Sequence, residues 1–432
     1  MSEEKTKNPD QKTKYKKVLR IVAIVLAFAI TFTCGYFSKY IFDPKTSTST
    51  IDLIRMIEQF GYIIDENGNE KQLTKDDYLK AIANGVLDEY STFYTQEEYQ
   101  EVAKKRDGDY SGFGLSITGS QNKEPVIIKV VGNSPADKVG VRGGDKIVSA
   151  TIDGQTTTFS NSKELSEYLS ACEKGTVVEF NVERNGQART FNVGKEQYMA
   201  TYVSYFDNQK RISFHTINGK LENVELASER IEDLGDNVAL IRIDGFEGQV
   251  ATQLARAIEC MRLNNKTKLI LDLRNNGGGY MSLLTQVARH LIYNGGNKTL
   301  IAYSTGKTEN KSFYMENGIN YNFIEKIAVL ANDGTASASE CLIGAMLYYG
   351  EKFSKDTLII EKNSEGKATT YGKGIMQTTY KFLDGSALKI TTAKILWPDK
   401  ETCIHLKGIL PIDANATEKG ISAVQRAVQV LS

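Results

Sequence analysis

Histidine and cysteine are scarce in this sequence. Its 432 residues include three histidines and five cysteines. The cysteines are Cys34, Cys172, Cys260, Cys341 and Cys403. They are too few and too scattered for a disulfide framework, and they show no C-x-x-C pair and no zinc-binding spacing, so we expect small buried side chains. The formal net charge is zero, so the overall charge does not indicate a nucleic-acid partner.

The bulk composition is that of a globular protein. Hydrophobic residues make up 41% and charged residues 25% of the chain, which is enough for a large core. The length predicts about three domains. The charge is unevenly distributed, because residues 1–20 hold seven Lys or Arg and three Asp or Glu. A basic start before a neutral body indicates membrane topology rather than a polyanionic partner.

An uncharged apolar run follows the basic start. Residues 21–38 carry no charge over eighteen positions, and a helix of that length spans about 27 Å, close to the hydrocarbon core of a bilayer. We predict a single transmembrane anchor at 18–40, preceded by a tail at 1–17 and followed by a polar linker at 41–50.

Basic residues determine the predicted orientation of this anchor. They precede the apolar run at Lys14, Lys16, Lys17 and Arg20, so the positive-inside rule leaves the N-terminus in the cytoplasm and everything after residue 40 outside. A cleaved signal peptide is the alternative. No A-x-A-like cleavage site is visible, and the apolar run is long for a signal peptide.

The remainder of the chain changes character twice. Apolar residues at helical spacing predict a helical cap segment at 51–104. Short β-branched strands around one helix predict a β-domain at 105–196. Strands and helices alternate over 197–432, which predicts an α/β core with largely parallel strands. The expected architecture is therefore a multidomain α/β and β chain with an N-terminal transmembrane helix.

Two motifs mark the β-domain. Residues 111–115 read S-G-F-G-L, and residues 133–145 begin N-S-P-A and end G-V-R-G-G-D. With the single helix and the surrounding strands, this unit closely resembles a PDZ domain. The resemblance implies capture of a peptide C-terminus by strand addition, with the carboxylate bound by the loop. That loop consists of Gly112, Phe113, Gly114 and Leu115. The alternative is a small β-domain whose glycines only make turns.

A serine lies at a predicted strand-to-helix turn. Residues 332–347 read N-D-G-T-A-S-A-S-E-C-L-I-G-A-M-L. Ser337 and Glu340 fit a capping box, which is a purely structural interpretation. The same position offers the free N–H groups and positive dipole of a helix N-terminus, which suit a nucleophile whose substrate develops negative charge.

A serine nucleophile needs a base, and a lysine is a candidate. Residues 371–377 read Y-G-K-G-I-M-Q. Lys373 acts as a base only when neutral, which requires burial to lower its pKa. Taken alone, the motif fits a solvated surface lysine.

A third motif lies upstream. Residues 270–280 read I-L-D-L-R-N-N-G-G-G-Y. A predicted strand delivers Asp272 and Arg274 into a glycine turn whose N–H groups can approach a substrate oxygen. The alternatives are a phosphate-binding loop or a plain turn, but neither a Walker lysine nor dinucleotide spacing is present.

These three motifs, in this order around the PDZ-like unit, resemble the carboxy-terminal processing proteases, also called tail-specific proteases. The similarity covers residues 50–432 and includes D-E-Y-S-T-F-Y at 88–94 and K-G-I-L-P at 407–411. It implies a serine endopeptidase in which Ser337 is the nucleophile, Lys373 the general base and Gln377 the residue that orients the lysine amine.

The resemblance implies further residues and partners. Ala338 and either Gly278 or Gly279 would hold the oxyanion, and Arg142 would contact the protease core and report peptide binding. Substrates would be proteins or peptides bound by their C-termini, with no cofactor, metal or nucleic acid. Residues 51–104 can mediate a homodimer. With the predicted anchor, the expected location is the bacterial cell membrane, with the catalytic domain outside the cytoplasm.

The chain departs from the family pattern in places. Gly277 stands where proline is usual, and Thr335 where serine is usual. Ser337 and Lys373 are 36 residues apart, more than is usual, and we assign the extra residues to a predicted loop at 351–369. A second S-x-x-K, at 160–163, lacks a K-T-G companion and is interpreted as a helix start.

Two rival functions remain. One is a membrane-anchored scaffold with an inactive protease core, which a fluorophosphonate probe or a casein digest distinguishes. The other is a different acyl-transfer enzyme on the same core, which predicts thioester or small-amide turnover without protein cleavage.

Overall fold

The structure is a computed structural model that describes residues 50–61, 63, 69–117, 124–208, 210–217, 219–226, 233–418 and 421–432. The predicted tail and the predicted anchor at 18–40 lie outside these residues. Within the described ranges, no helix has both the length and the apolar character needed to cross a bilayer. The chain divides into two compact units, Met1–Ala81 and Ile82–Ser432.

Two helices begin the predicted cap segment, and both confirm the helical pattern. They are α1 (Thr50–Phe60) and α2 (Lys75–Val86). Helix α1 has an exposed apolar stripe, since Leu53, Met56 and Phe60 are 52%, 57% and 73% exposed. Helix α2 starts with reciprocal hydrogen bonds: Thr74 N–H donates to the Asp77 carboxylate (2.8 Å), and Asp77 N–H donates to the Thr74 hydroxyl (3.2 Å).

The chain then forms β1 (Thr92–Tyr94) and α3 (Gln96–Arg106). Helix α3 has the acidic residues Glu97 and Glu98 in its first turn, and Thr95 and Glu98 cap it through reciprocal hydrogen bonds of 3.3 and 2.9 Å. Strand β1 pairs antiparallel with residues 387–389 of the α/β core. The end of the predicted cap segment therefore contributes a strand to a core sheet.

The predicted β-domain forms as short strands around one longer helix. Its elements are β2 (Asp109–Gly112), β3 (Leu115–Ile117), β4 (Ile127–Val130), α4 (Pro135–Val139), β5 (Lys146–Ile152), β6 (Gln155–Thr158), α5 (Ser162–Ala171), β7 (Val177–Arg184), β8 (Gln187–Gly194) and β9 (Glu196–Met199). Strands β6, β5, β7 and β8 form one sheet, β3 pairs with β4, and β2 pairs with β9. The β2–β9 pair joins the start and the end of the domain.

An α/β core follows, as the alternation of apolar segments predicts. Its elements are β10 (Val203–Phe206), β11 (Arg211–Ile217), β12 (Lys220–Leu226), β13 (Val238–Ile243), α6 (Val250–Leu263), β14 (Lys268–Asp272), α7 (Met281–Ala288), β15 (Thr299–Gly306), β16 (Asn310–Met315), β17 (Lys326–Ala331), α8 (Ala338–Tyr349), β18 (Leu358–Glu361), β19 (Ile375–Lys381), β20 (Ala387–Leu396), β21 (Ala416–Thr417) and α9 (Ile421–Leu431). Short 3-10 turns precede β18 and β21.

The main sheet brings two of the three predicted motifs to one edge. Its strand order is β12-β11-β10-β13-β14-β17-β18-β21, and the strands from β13 to β21 run parallel. Parallel strands have their carboxyl ends at the same edge of the sheet, where open α/β sheets bind ligands. The segments after β14 and β17 contain the glycine motif and the serine motif.

A second sheet carries the lysine motif. Strand β20 pairs with β19 on one side and with β1 and β15 on the other, and β16 extends the sheet from β15. Lys373 lies two residues before β19. Its position relative to Ser337 therefore depends on how the second sheet packs against the first.

Two predicted boundaries were wrong. The apolar pattern predicts a helix over 281–293, but the helix ends at Ala288, because His290 and Leu291 N–H donate to carbonyls only three residues back (both 3.0 Å) and tighten the last turn. The loop predicted at 351–369 contains β18, which pairs with β17 inside the main sheet.

Gly344 allows close packing between α8 and the segment after β20. A Cβ atom at this position would overlap the indole ring of Trp397. We expect Gly344→Ala to lower the free energy of unfolding by about 1–3 kcal/mol, because the added methyl group forces the ring or the helix to move. The chain has one tryptophan, so urea unfolding followed by tryptophan fluorescence measures the change at this contact.

Gly85 of α2 is the matched control. A Cβ there meets no atom within 4 Å, so Gly85→Ala should leave stability unchanged or raise it by up to about 1 kcal/mol. A Gly344→Ala variant with wild-type stability would contradict the packing argument.

Candidate active site

A cavity of about 690 Å³ lies at the carboxyl edge of the main sheet. Ser337, Lys373 and Gln377 all line it, as do Gly278 and Gly279. The structure therefore brings together residues that the sequence places in three separate motifs. The cavity also extends to Lys129, Gly132 and other residues of the PDZ-like domain and its connection.

The backbone at Ser337 is not that of an ordinary helix cap. Ser337 has φ 57° and ψ −116°, a region that costs a non-glycine residue about 1–3 kcal/mol. The caps of α3, α4 and α5 are extended, with φ of −62°, −73° and −157°. A helix cap does not require the strained conformation, so the strain favours a functional interpretation of Ser337 over the structural one.

The glycine motif lies directly against the serine turn. A Cβ on Gly278 would lie 2.8 Å from the Ser337 Cβ and 2.9 Å from the Ala338 nitrogen. Gly278 has φ 100°, so both its conformation and its closeness require glycine. The backbones of the two motifs thus approach closely enough for N–H groups from both to surround one substrate oxygen.

Asn276 holds the glycine motif and the serine turn together. Its side chain is fully buried; its amide nitrogen donates to the Ile243 carbonyl (2.8 Å), and its side-chain oxygen accepts from Gly278 N–H (3.0 Å). Its backbone carbonyl accepts from Ala336 N–H (3.0 Å) and from the Ser339 hydroxyl (2.9 Å). One asparagine therefore connects β13, the glycine motif and the serine turn.

Asp272 and Arg274 brace the start of the glycine motif. Arg274 donates to both carboxylate oxygens of Asp272 (2.9 and 2.8 Å) and to Glu361 of β18 (2.6 Å). Burial opposes ionisation of Asp272, but Arg274 and Arg242 beside it hold its pKa below the usual range. These side chains join β14 to β18, so we assign them to support of the site.

Glycines on both sides of Lys373 allow a close backbone approach. Gly372 has φ 85°, and a Cβ there would lie 2.7 Å from the Gly408 nitrogen. A Cβ on Gly374 would lie 2.7 Å from the His405 nitrogen. The turn around Lys373 therefore packs closely against residues 404–408, which lie before β21. Side chains larger than hydrogen at positions 372 and 374 would prevent this contact.

The Lys373 side chain is half-buried, and its ammonium nitrogen lies 4.5 Å from the centroid of the Tyr90 ring. Burial lowers its pKa, and Lys389 lowers it further, while Asp88, Glu340 and Glu89 act in the opposite direction. Within the described residues, no hydrogen bond joins its amine to the Ser337 hydroxyl.

Glu340 joins the serine turn to the lysine turn. This carboxylate is fully buried. It accepts from the backbone N–H groups of Ser337 (2.8 Å), Gly372 (2.8 Å) and Lys373 (2.9 Å) and from the Thr370 hydroxyl. Burial raises the pKa of Glu340, and the four donors oppose that shift by favouring its charged form. The sequence suggested only its bond to Ser337.

Gln377 lies on β19 with its side chain at the cavity. Its amide nitrogen donates to the Thr391 hydroxyl of β20 (2.9 Å). This bond fixes the plane of the amide. The other end of the amide is a carbonyl oxygen, which can accept a hydrogen bond.

The predicted carboxylate-binding loop lies between β2 and β3. The carbonyls of Phe113 and Gly114 accept from Ala136 N–H (3.1 Å) and Val131 N–H (2.9 Å). In a trans peptide, the C=O of one residue and the N–H of the next point in opposite directions. The N–H groups of Gly114 and Leu115 therefore point away from these partners.

Arg142 lies in the exposed turn after α4, where its backbone N–H donates to Asp145 (2.9 Å). Its predicted contact with the protease core stays a prediction. Two other residues of the domain meet the core: Asp137 pairs with Arg211 of β11 (3.3 Å), and the Lys129 ammonium donates to the Asp244 carbonyl. The rival S-x-x-K motif lies at the start of α5, where Lys163 pairs with Glu167.

Sequence reasoning missed several residues at this site. Tyr90 and Tyr94 come from the predicted cap segment, in which no chemistry was expected, and Lys389 comes from β20. Only D-E-Y-S-T-F-Y at 88–94, which contributed to the family resemblance, pointed to this region. The role of Glu340 in holding the lysine turn had no signal, because it depends on contacts over more than 30 residues.

Glu340→Gln tests the connection between the two turns. The amide keeps the shape but offers one acceptor oxygen, so at least one N–H of the serine or lysine turn loses its partner. We expect at least a tenfold slower reaction of Ser337 with a fluorophosphonate and a lower free energy of unfolding, by about 1–3 kcal/mol. Glu351→Gln, an exposed position just after α8, should change neither quantity. A Glu340→Gln variant that reacts at the wild-type rate would contradict this role.

Comparison with known proteins identifies two domains in the chain. A family model described as Peptidase family S41 matches residues 237–413, and a PDZ domain model matches residues 111–194. The carboxy-terminal processing protease CtpA of Bacillus subtilis is 27% identical over 90% of this chain and 75% of its own length. A probable CtpA-like serine protease of Staphylococcus haemolyticus is 26% identical over 91% of this chain and 70% of its own length.

A solved structure supports the same fold. The photosystem II D1 C-terminal processing protease superposes with a TM-score of 0.51 at 21% identity, covering 89% of this chain and 91% of its own. With a PDZ domain, an α/β core that matches Peptidase family S41 and relatives that align over most of their length, the chain is a serine-type peptidase similar to the carboxy-terminal processing proteases.

Proposed function

We propose that this protease cleaves peptide bonds with a Ser337–Lys373 pair. One observation carries the proposal: both residues line one cavity, and the buried Glu340 carboxylate binds the backbone of both turns. The strained serine turn and the lowered pKa of Lys373 support it.

The neutral Lys373 amine would take the proton from the Ser337 hydroxyl as its oxygen attacks the scissile carbonyl. The resulting ammonium would pass that proton to the leaving amine, which departs and leaves an acyl-enzyme on Ser337. A water molecule, deprotonated by the same amine, would then attack the ester. The Ser337 oxygen would leave with that proton from the ammonium as the new C-terminus is released.

The Lys373 amine has to reach the Ser337 hydroxyl from its position over the Tyr90 ring. We propose that rotation about the flexible lysine side chain brings it there, since catalytic hydrogen bonds often form only when substrate is bound. We propose that Gln377 helps to orient the amine there by accepting a hydrogen bond through its carbonyl oxygen, since Thr391 holds the amide nitrogen.

We propose Ala338 and Gly279 as the two oxyanion donors. Ala338 is the first residue of α8, where a backbone N–H has no acceptor within the helix. Gly278 N–H donates to Asn276, whereas Gly279 is bridged to Phe246 through the Gly278 carbonyl and Tyr280 N–H. In a parallel bridge the central residue points its own N–H the other way, so Gly279 is the better donor of the two glycines.

The PDZ domain would bind the C-terminus of the substrate. The outward N–H groups of Gly114 and Leu115 provide consecutive donors for a terminal carboxylate. Strand β3 pairs with β4, and β3 supplies the edge on which a peptide can add as a strand.

The chain would be anchored in the bacterial cell membrane by residues 18–40, with the catalytic unit outside. The apolar run and the preceding basic residues support this, and digestion of intact cells by an added protease measures the orientation. The exposed stripe of α1 would form a homodimer contact, which sedimentation of Phe60→Asp against wild-type protein tests.

Replacement of either catalytic residue is the direct test. Ser337→Ala and Lys373→Met should each lower cleavage of a protein substrate by at least a thousandfold, because each removes a group that forms or breaks a bond. Lys381→Met, an exposed lysine at the end of β19, should retain activity. Full activity in purified Lys373→Met would refute the pair.

The pH dependence of kcat/KM tests the charge of Lys373. The active form is the neutral amine, so activity should rise with pH and level off around the pKa of Lys373. Since burial lowers that pKa, the midpoint of the rise should lie below the ordinary lysine value of about 10.4. A midpoint at or above that value would show a solvated lysine.

Peptides that differ only at the C-terminus test whether the PDZ domain binds a terminal carboxylate. A peptide with a free C-terminal carboxylate should bind at least tenfold more tightly than the same peptide with a C-terminal amide, because the amide has no charge for the loop to bind. Fluorescence anisotropy with the Ser337→Ala variant measures both without cleavage. Equal affinities would contradict carboxylate capture.

A further inference from the structure

The cavity contains a second lysine that the proposed mechanism does not use. Lys389 of β20 lines the cavity together with Ser337 and Lys373. In the β19–β20 ladder Lys389 is opposite Thr379, and Thr391 is opposite Gln377. Paired residues of a ladder share a face of the sheet, so Lys389 lies on the same face as Gln377.

Lys389 has no anionic partner of its own within the described residues. It forms neither an ion pair nor a hydrogen bond there, and its ammonium lies 5.8 Å from the centroid of the Tyr94 ring. The nearby Asp88 carboxylate instead accepts from the Ser91 hydroxyl (2.7 Å) and Tyr90 N–H (3.2 Å). A half-buried ammonium without a counter-ion is poorly compensated.

The surroundings of Lys389 favour an incoming anion. Lys389 is close enough to Lys373 to act on its charge, adding to the larger effect of burial. Lys129 lines another part of the cavity, where its ammonium donates to the Asp244 carbonyl. The carboxyl groups of Asp244 and Glu247 also line the cavity, and Glu247 accepts from the Tyr110 and Tyr202 hydroxyls (2.9 and 3.2 Å). Lys389 therefore offers this lining a positive charge that an incoming carboxylate can offset.

We propose that Lys389 binds a carboxylate of the substrate inside the catalytic cavity and so makes the protease selective for an acidic group near the scissile bond. The carboxylate would be an Asp or Glu side chain, or the terminal α-carboxylate of a short tail. The proposal rests on the proposed function, because Ser337 defines where the scissile bond lies.

A peptide series tests the proposal. One Glu, or Gln as its neutral counterpart, is placed in turn at each of three positions on either side of the cleaved bond. Each peptide is made with a free and with an amidated C-terminus. The full-length wild-type chain should cleave at least one Glu peptide, or one free-acid peptide with a short tail, about tenfold faster in kcat/KM than its neutral counterpart.

Three variants assign that preference. Lys389→Met should reduce the ratio of acidic to neutral kcat/KM to about one, and Lys389→Arg should restore most of it. Lys381→Met is the matched control, because its ammonium also lies on a tyrosine ring, that of Tyr99 (4.9 Å), but Lys381 does not line the cavity. That variant should keep the wild-type ratio.

The ratio of acidic to neutral kcat/KM distinguishes binding of a substrate carboxylate by Lys389 from an effect of Lys389 on the pKa of Lys373. Removing the charge of Lys389 raises the pKa of Lys373 and shifts the pH profile upward for all substrates alike, whereas loss of carboxylate binding changes only the ratio. Asp88, Glu89 and Glu340 also act on Lys373, and they are unchanged in every variant. A ratio that persists in Lys389→Met, or no acidic preference in the wild type, would overturn the proposal.

Peptide binding to the Ser337→Ala variant distinguishes failure of the Lys389 proposal from failure of the proposed function. In that background the Glu and Gln peptides should differ about tenfold in Kd, and Lys389→Met should remove the difference. If Ser337→Ala still cleaves, the catalytic assignment fails, while the binding comparison still decides the role of Lys389. A preference for free acid over amide that survives in Lys389→Met belongs to the PDZ loop.

Discussion

The buried carboxylate of Glu340 is the interaction on which the site depends. It accepts hydrogen bonds from the backbone of Ser337 on one side and of Gly372 and Lys373 on the other. Ser337 follows a strand of the main sheet, whereas Lys373 precedes a strand of the second sheet. A charged group with four donors and no solvent tolerates little displacement, because any lost partner leaves a buried charge undercompensated. The two turns are therefore held in a fixed relation before substrate arrives.

Close backbone contact is the second constraint. Gly278 lies against the serine turn, and Gly372 and Gly374 lie against the segment before β21. At these positions a side chain would separate chain segments that have to touch. The buried Asn276 and the Arg274–Asp272 pair then fix the glycine motif relative to β13 and β18. The polar groups closest to Ser337 thus hold a backbone arrangement.

The electrostatic character of the cavity follows from what this arrangement encloses. Lys373 lies over an aromatic ring in a half-buried site, where its charged form is disfavoured. The cavity wall also includes residues of the PDZ domain, and that domain meets the core through Asp137 with Arg211 and through Lys129. The PDZ domain and the proposed catalytic pair are therefore adjacent in space, although more than 200 residues of sequence separate Lys129 from Lys373.

The sequence by itself determined that a PDZ-like unit precedes an α/β core and where the three motifs lie, because hydrophobic periodicity and glycine placement are local properties. The sequence did not predict the end of α7 at Ala288 or the presence of strand β18, since a tightened last turn and a polar-flanked inner strand leave no clear periodicity. Only the tertiary structure decided that Glu340 spans both turns, that Ser337 is strained, and that Tyr90 and Lys389 adjoin the lysine. Those features arise where two sheets pack together, and packing between distant segments has no local periodic signal.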